Sequence, residues 1–443
     1  MLQFRQIFLM LALVATSALV VKGQAPDTIQ SYKKRVLETV EIDILSSFYM
    51  QDGDHAAVSG GKGSEELTDA AGEITISIPL NDDDILKIDA SVSAYTSASS
   101  SNINPFDGKN PADPFVASSG ASRQDIWSSF SVAYTHSSDD RNTIWSVVPS
   151  LSVEYDYVSF GLGGSFTKLF NEKNTEIGLH GSVFLDSWSL LYPIELRAPN
   201  GSGDDEDENF NIDNYIITGN TNYDPSFTPI TDKGRSSYSV GVSMSQILSE
   251  KLQGLLVVDL VNQQGLLSTP FQRVYFGDVG DSFIENFHLA DDIERLPTSR
   301  IKLAGGGRLN YYLNELFVVR TFYRYYFDDW GIKSHTASLE IPIKVSDQFT
   351  LYPSYRYYNQ TGADYFAPYN EHLSTETYYT SDYDLSPYNA NQYSFGITYT
   401  DLFSNAKLWH LGLKSLDLKY TYYQRNTGFK AHLLSAGVKF VMD

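Results

Sequence analysis

The sequence contains no cysteine. That absence removes disulfide scaffolds, thiolate metal sites, cysteine nucleophiles and a lipid-modified N-terminal cysteine together. Basic residues are scarce: 32 Lys and Arg stand against 54 Asp and Glu, a formal charge of −22. Nucleic acid is a poor partner for such a surface, because its binding relies on Lys and Arg displacing counterions. The acidity suits well-hydrated or cation-attracting loops. No stretch after residue 21 approaches the roughly 20 apolar residues of a spanning helix. A membrane location would have to be reached by strands closed into a barrel, since nothing else satisfies the backbone in lipid. The sequence also lacks a His-x-x-x-His pair and a Gly-x-Ser-x-Gly elbow, so neither a zinc protease nor an elbow hydrolase is supported.

Aromatic residues are abundant, with 31 Tyr and 25 Phe. Such rings favour strands, and in membrane barrels they gather at the headgroup level. Residues 1–23 read as a signal peptide. Arg5 supplies the positive start, Ile7 to Val21 the apolar run, and Val21-Lys22-Gly23 the cleavage region ahead of Gln24. Residues 24–38 form a short periplasmic segment, too short for a plug domain of the importer type. Residues 39–443 carry the strands.

Period-two alternation recurs throughout that span. In 392–400, Tyr393, Phe395, Ile397 and Tyr399 share one face, with Gln392, Ser394, Gly396, Thr398 and Thr400 on the other. Segments 73–80, 237–245, 415–423 and 432–440 repeat the pattern. An oily face opposite a small or polar one fits lipid outside and a polar lumen inside. About sixteen such segments, near the 9–11 residues a tilted strand needs, are expected: 39–49, 73–80, 85–96, 125–136, 143–154, 157–169, 175–188, 236–247, 251–262, 299–312, 316–327, 332–344, 348–358, 391–401, 415–424 and 430–441.

Their connections sort by parity. The even ones are short and turn-like, as in Asn81-Asp82-Asp83-Asp84, Asn171-Glu172-Lys173-Asn174 and Leu313-Asn314-Glu315. The exception is 402–414, where a short helix is a candidate. The long ones are odd: 50–72, 97–124, 189–235, 263–298 and 359–390. Outer-membrane barrels have short periplasmic turns and long external loops. The expectation is an all-β fold, an antiparallel transmembrane β-barrel of about 16 strands in the cell outer membrane. Outer-membrane lipid, lipopolysaccharide and the barrel-assembly machinery are then its surroundings. An aromatic last residue is the usual assembly mark; here Phe440 keeps the strand pattern and the chain ends on Asp443.

Several segments carry a family likeness. They include Tyr32 to Glu38, Gln51-Asp52-Gly53, Gly60-Gly61, Ile78 to Asp84, Ser99 to Asp107, Asp113-Pro114-Phe115, Ser122-Arg123, His136 to Asn142 and Phe170 to Asn174. Together they resemble the domain-of-unknown-function 3570 family, exported proteins of Bacteroidetes and some Proteobacteria. The resemblance implies a barrel without assigned activity, cofactor or catalytic residues. It also implies a small envelope lipoprotein as a partner, in a setting that touches envelope redox chemistry.

Two regions stand out as candidate sites. The loop 97–124 strings together Ser99, Asn102, Asn104, Asp107, Asp113 and Arg123 among stiffening prolines. It could fold inward as a constriction or bind a ligand, or its Asn and Ser side chains could simply cap its own backbone. Arg300, Arg308, Arg320 and Arg324, with Lys302, could form a basic stripe on the lumen wall and set selectivity. Alternatively Glu340 and Glu154 neutralise them in a filled lumen. Lys419 and Lys430 read as headgroup contacts. Asp204 to Glu208 reads as a solvated tip, since contiguous acids cannot all face one cation; whether the chain holds a metal is left open. Three functions remain: a channel or exporter for a small or peptide-like solute, a partner-binding barrel docking through 189–235 and 359–390, or an outer-membrane hydrolase assembled from distant residues. No cofactor is called for.

Overall fold

Sixteen β-strands pair in chain order, each antiparallel to the next, and the last pairs with the first. The computed structural model describes residues 35–96, 124–197, 211–401 and 406–442. The strands are β1 (Glu41–Asp52), β2 (Leu67–Pro79), β3 (Asp84–Thr96), β4 (Gln124–Ser137), β5 (Thr143–Val153), β6 (Tyr157–Phe170), β7 (Thr175–Trp188), β8 (Gly234–Ser249), β9 (Leu252–Gly265), β10 (Ser299–Tyr312), β11 (Val318–Asp328), β12 (Lys333–Glu340), β13 (Ser354–Gln360), β14 (Tyr388–Thr400), β15 (Leu411–Arg425) and β16 (Lys430–Met442). Closure runs from Glu41↔Val441 to Asp52↔Lys430, leaving the sheet without a free edge.

Every expected strand is present, most within three residues of its expected ends. The departures have local causes. Pro342 and Pro353 lack an N–H and stand in neighbouring pairs of the ladder, opposite Tyr352 and Ile341, so β12 and β13 continue past them only as the short pair Ile343–Lys344 with Phe349–Leu351. Pro149 interrupts the β4–β5 ladder between Ser131↔Ser150 and Tyr134↔Val147. Where a short helix was a candidate, the described residues instead make a strand, Lys407–Leu408 folding onto Leu411–Gly412.

The short connections are closed by side chains. Asn81 Oδ1 accepts from the N–H groups of Asp83 and Asp84 at 2.8 and 3.0 Å, and Asn314 Oδ1 does the same for Leu316 and Phe317. Asn171, Glu172 and Lys173 turn between β6 and β7 with φ of 51°, 55° and 71°.

Alternation places the apolar side chains outward. Phe160, Leu162, Leu179, Val242, Leu256, Val258, Phe395 and Leu418 are all exposed. An apolar outer face on a closed ring is the surface of a membrane-spanning barrel. Inside, hydroxyls meet across strands: Ser91–Ser129, Ser146–Ser165 and Ser182–Ser239 each lie at 2.7 Å. The apolar residues that are fully buried lie almost all at one end, in the long connections 53–66, 189–233, 266–298 and 361–387.

Candidate functional site: a loop cap and a two-signed lumen

The four long connections with described residues pack into one cap. Residues 266–298 are its centre. Ser282–Ile284 pairs with Ile217–Gly219 on one side and Phe287–His288 on the other. Arg273–Val274 pairs with Asp292–Ile293. Around Ile284, Phe287 and Leu289 pack Ile212, Tyr215, Ile217 and Tyr223 from the 189–233 connection. Tyr379 of 361–387 packs on Val274 and Phe276, and Ala56 and Val58 of 53–66 pack with Phe271. His55 stacks on Tyr383, ring centres 3.7 Å apart. Gly61, at φ +86°, lies so close to the Ser381 carbonyl that a Cβ there would collide with it.

Charge inside the cap is satisfied by design of its neighbours. Arg273 is fully buried and grips Glu195 through two bonds of 2.7 and 3.1 Å, while its third nitrogen donates to the Val58 carbonyl. Burial works against this guanidinium, but Glu195 outweighs it and holds the pKa above its ordinary value. Glu294 is equally buried and, among the described residues, has no cation beside it. It accepts from Thr380 Oγ1 and the Thr269 N–H, both at 2.6 Å, and burial pushes its pKa up to about 7. Burial likewise raises Asp291 to about 6 and lowers His288.

Beneath the cap lies a cavity of about 720 Å³. Its floor and walls are Tyr49, Gln51, Gln392, Lys419, Thr421, Tyr423 and Ser435 of the barrel; its roof includes His55, Glu65, Phe271, Asp382 and Asp384. Arg425 stands at the junction. It pairs with Asp384 at 2.6 Å and lies against the rings of Tyr388, Tyr423 and Phe429. Burial, then the charges of Asp384 and Glu294, push Asp382 up as well.

Further into the lumen the walls differ in sign. By register, Arg300, Lys302, Arg308, Arg320, Arg324 and Arg356 face inward from β10, β11 and β13, against two inward carboxylates, Asp328 and Glu340, on β11 and β12. Glu41, Asp43, Asp69, Glu73, Asp89 and Asp125 face inward from β1–β4, with Lys87 the single inward cation there.

The four arginines of the expected stripe do share this wall, and their roles divide. Arg300 is bound to Asp328 at 2.5 and 3.0 Å and lies under Trp330. Arg320 pairs with Glu340 at 2.9 Å. Arg308 and Arg324 are exposed to the lumen and, among the described residues, meet no carboxylate. Glu154 does not join them; it accepts from Tyr95. Lys419 is corrected from the headgroups to the lumen, because the register turns it inward, over Tyr352. Ser99, Asn102, Asn104, Asp107, Asp113 and Arg123, and the run Asp204 to Glu208, lie outside the described residues.

Sequence reading missed Arg356 and Glu73. Both were findable, since each has the polar parity of its strand. The cap was not signalled by alternation; its mark is the density of Tyr and Phe in connections without period. Among the described residues no histidine bonds a serine hydroxyl; His180 pairs with Asp259, His335 with Tyr323 and His432 with Tyr420.

The model of one family, described as protein of unknown function (DUF3570), matches residues 10–439. No curated protein matches the chain. Among solved structures, a bacterial polysaccharide outer membrane secretin aligns over 91% of this chain and 99% of its own at 10% identity and a TM-score of 0.44. A BenF-like porin from Pseudomonas fluorescens Pf-5 aligns over 92% and 100% at 8% identity and 0.39, and OccK1 (OpdK) of Pseudomonas aeruginosa over 91% and 98% at 7% and 0.37. Nothing about function passes to this chain at such values.

Proposed function

This chain belongs to the DUF3570 family of proteins of unknown function, and we propose that it is a channel of the cell outer membrane for a small or peptide-like solute. The observation that carries this reading is the lumen wall. A barrel filled only for stability would pair its inward charges, because an unpaired buried charge is expensive. Here Arg308, Arg324 and Arg356 stay exposed without a carboxylate partner among the described residues, as a hydrated path requires. Sixteen strands are also the width at which barrels enclose water rather than side chains alone. Under this reading the long connections face outward from the cell, the short turns face the periplasm, and the cap governs entry. Outer-membrane lipid, lipopolysaccharide and the barrel-assembly machinery are its general partners.

Single-channel recording in planar bilayers tests it. Discrete conductance steps are expected, larger when Glu195→Ala loosens the cap. A correctly folded barrel that carries no current, with or without that substitution, sinks the channel.

One observation favours a second reading. The cap is a packed body with its own small sheets, a surface suited to holding an envelope partner such as a small lipoprotein. Stable co-purification of one partner, lost when residues 211–231 are replaced by a Gly-Ser linker, would support it.

A further inference from the structure

We propose that the lumen selects a zwitterionic solute held crosswise, its carboxylate toward Arg308, Arg324 and Arg356 and its ammonium toward Glu73 and Asp69. This rests on the channel reading and names its substrate class.

The placement follows from the ring. In a closed barrel of sixteen strands, β2 lies eight strands from β10 and seven from β11, so Glu73 and Asp69 stand across the lumen from Arg308 and Arg324, while Arg356 on β13 flanks them, five strands from β2. Glu73, Arg324 and Arg356 also sit near the middle of their strands. Glu73 is the central residue of Leu67–Pro79, Arg324 is next to the centre of Val318–Asp328, and Arg356 lies in the inner part of Ser354–Gln360.

Among the described residues, no ion pair engages these groups. Arg308, Arg324, Arg356 and Glu73 are exposed in the lumen. Among the described residues Glu73 has only a long contact of 3.5 Å from Thr75, and Asp69 accepts from Ser93 at 2.6 Å. Asp89 is more committed, to Lys87 and Thr75. Gly306 clears the base of Arg324: a Cβ there would come within 3.2 Å of the Arg324 Cβ and closer still to the Tyr323 carbonyl.

A single ion gains at one wall and loses at the other. A neutral solute gains at neither. A molecule with separated charges gains at both, and arginine's planar fork matches a carboxylate in two-point fashion. Salt screens exposed charges over about 10 Å at 0.1 M, so the preference belongs to low and moderate ionic strength.

The test is osmotic swelling of liposomes carrying the full mature chain. Glycylglycine is compared with N-acetylglycinamide, which lacks both charges, and with N-acetylglycine, which keeps only the carboxylate. Glycylglycine is expected to enter about fivefold faster than either at low salt, with the advantage shrinking as salt rises. The triple change Arg308→Gln, Arg324→Gln, Arg356→Gln should remove the advantage of glycylglycine and slow N-acetylglycine, whereas the double change Asp69→Asn, Glu73→Gln should let N-acetylglycine enter at least as fast as glycylglycine. A heat-shift gel confirms that each variant still forms a barrel. Equal rates in the unaltered protein overturn the inference and leave the channel standing. N-acetylglycine entering as fast as glycylglycine overturns it too, since the acidic wall would then be idle. If no solute enters even when Glu195→Ala loosens the cap, the channel reading falls and takes this one with it.

Discussion

On the barrel wall, Phe160 and Leu256 keep 53% and 65% of their surface open; in the cap, Val274 and Leu289 keep none. The same kind of side chain meets opposite fates because the two regions solve different problems. The wall satisfies its backbone through sixteen ladders and turns its oil outward, where lipid takes the place of a core. The cap has irregular backbone in water. It must bury apolar groups against one another and use Thr380, Asp292 and Tyr379 side chains to settle the polar groups it encloses. The wall is therefore a repetitive object tolerant of local change, and the cap an individual one, dependent on particular pairs.

Substitutions can break that contrast. The largest effect is expected from Glu195→Ala, which strands the Arg273 charge at a cost of about 3–5 kcal/mol. Limited proteolysis should then cut the cap while the unboiled barrel still migrates fast on a gel. Converting both partners, Arg273→Met with Glu195→Leu, should restore most protection. Ile293→Ala empties part of the cap core and should cost about 2–5 kcal/mol by the same readout. Leu256→Arg reverses the pattern: an arginine facing lipid costs about 2–4 kcal/mol at mid-membrane, read in urea refolding of the barrel, with cap proteolysis unchanged.

Acidity probes the cap alone. Glu294 is neutral in the folded cap up to about pH 7 but ionises near its ordinary 4.5 when exposed. Its contribution is present below that lower value and lost as pH rises through about 7. Asp291, raised to about 6, acts in the same sense. His288 acts oppositely on acidification, because burial lowers its pKa. Cap protection from protease should therefore weaken between about pH 4.5 and 7, and Glu294→Gln should flatten that slope. The smallest effect is expected at Arg320→Ala. Its pair with Glu340 is open to the lumen, so stability should change by about 1 kcal/mol or less.

The strands were legible because their signals are local. Alternation tells each residue its face, and Asn81, Asn314 and Ser346 announce turns by bonding their own backbone. The arginine stripe was legible for the same reason: parity alone put Arg300, Arg308, Arg320 and Arg324 on one face of two strands. Parity could not say which of them would find carboxylates. Arg300 is neutralised by Asp328 and Arg320 by Glu340, whereas Arg324 lies opposite Thr336 and Gly306. Lys419 shows the limit most plainly. It was read by its place in the chain as a headgroup contact, and the register of β15 on β14 turned it inward.

The sequence by itself determined a membrane barrel of about sixteen strands, its turn ends and the sign of one wall, since each follows from spacings of two residues and from turn chemistry within four. Tertiary structure alone decided that the long connections would close into a cap and that an acidic wall would stand across from the basic one. Those facts depend on residues remote in the chain. Arg273 meets Glu195 78 positions away and Val58 215 away. The opposition of β2 to β10 exists only once β16 has found β1 and the ring is shut.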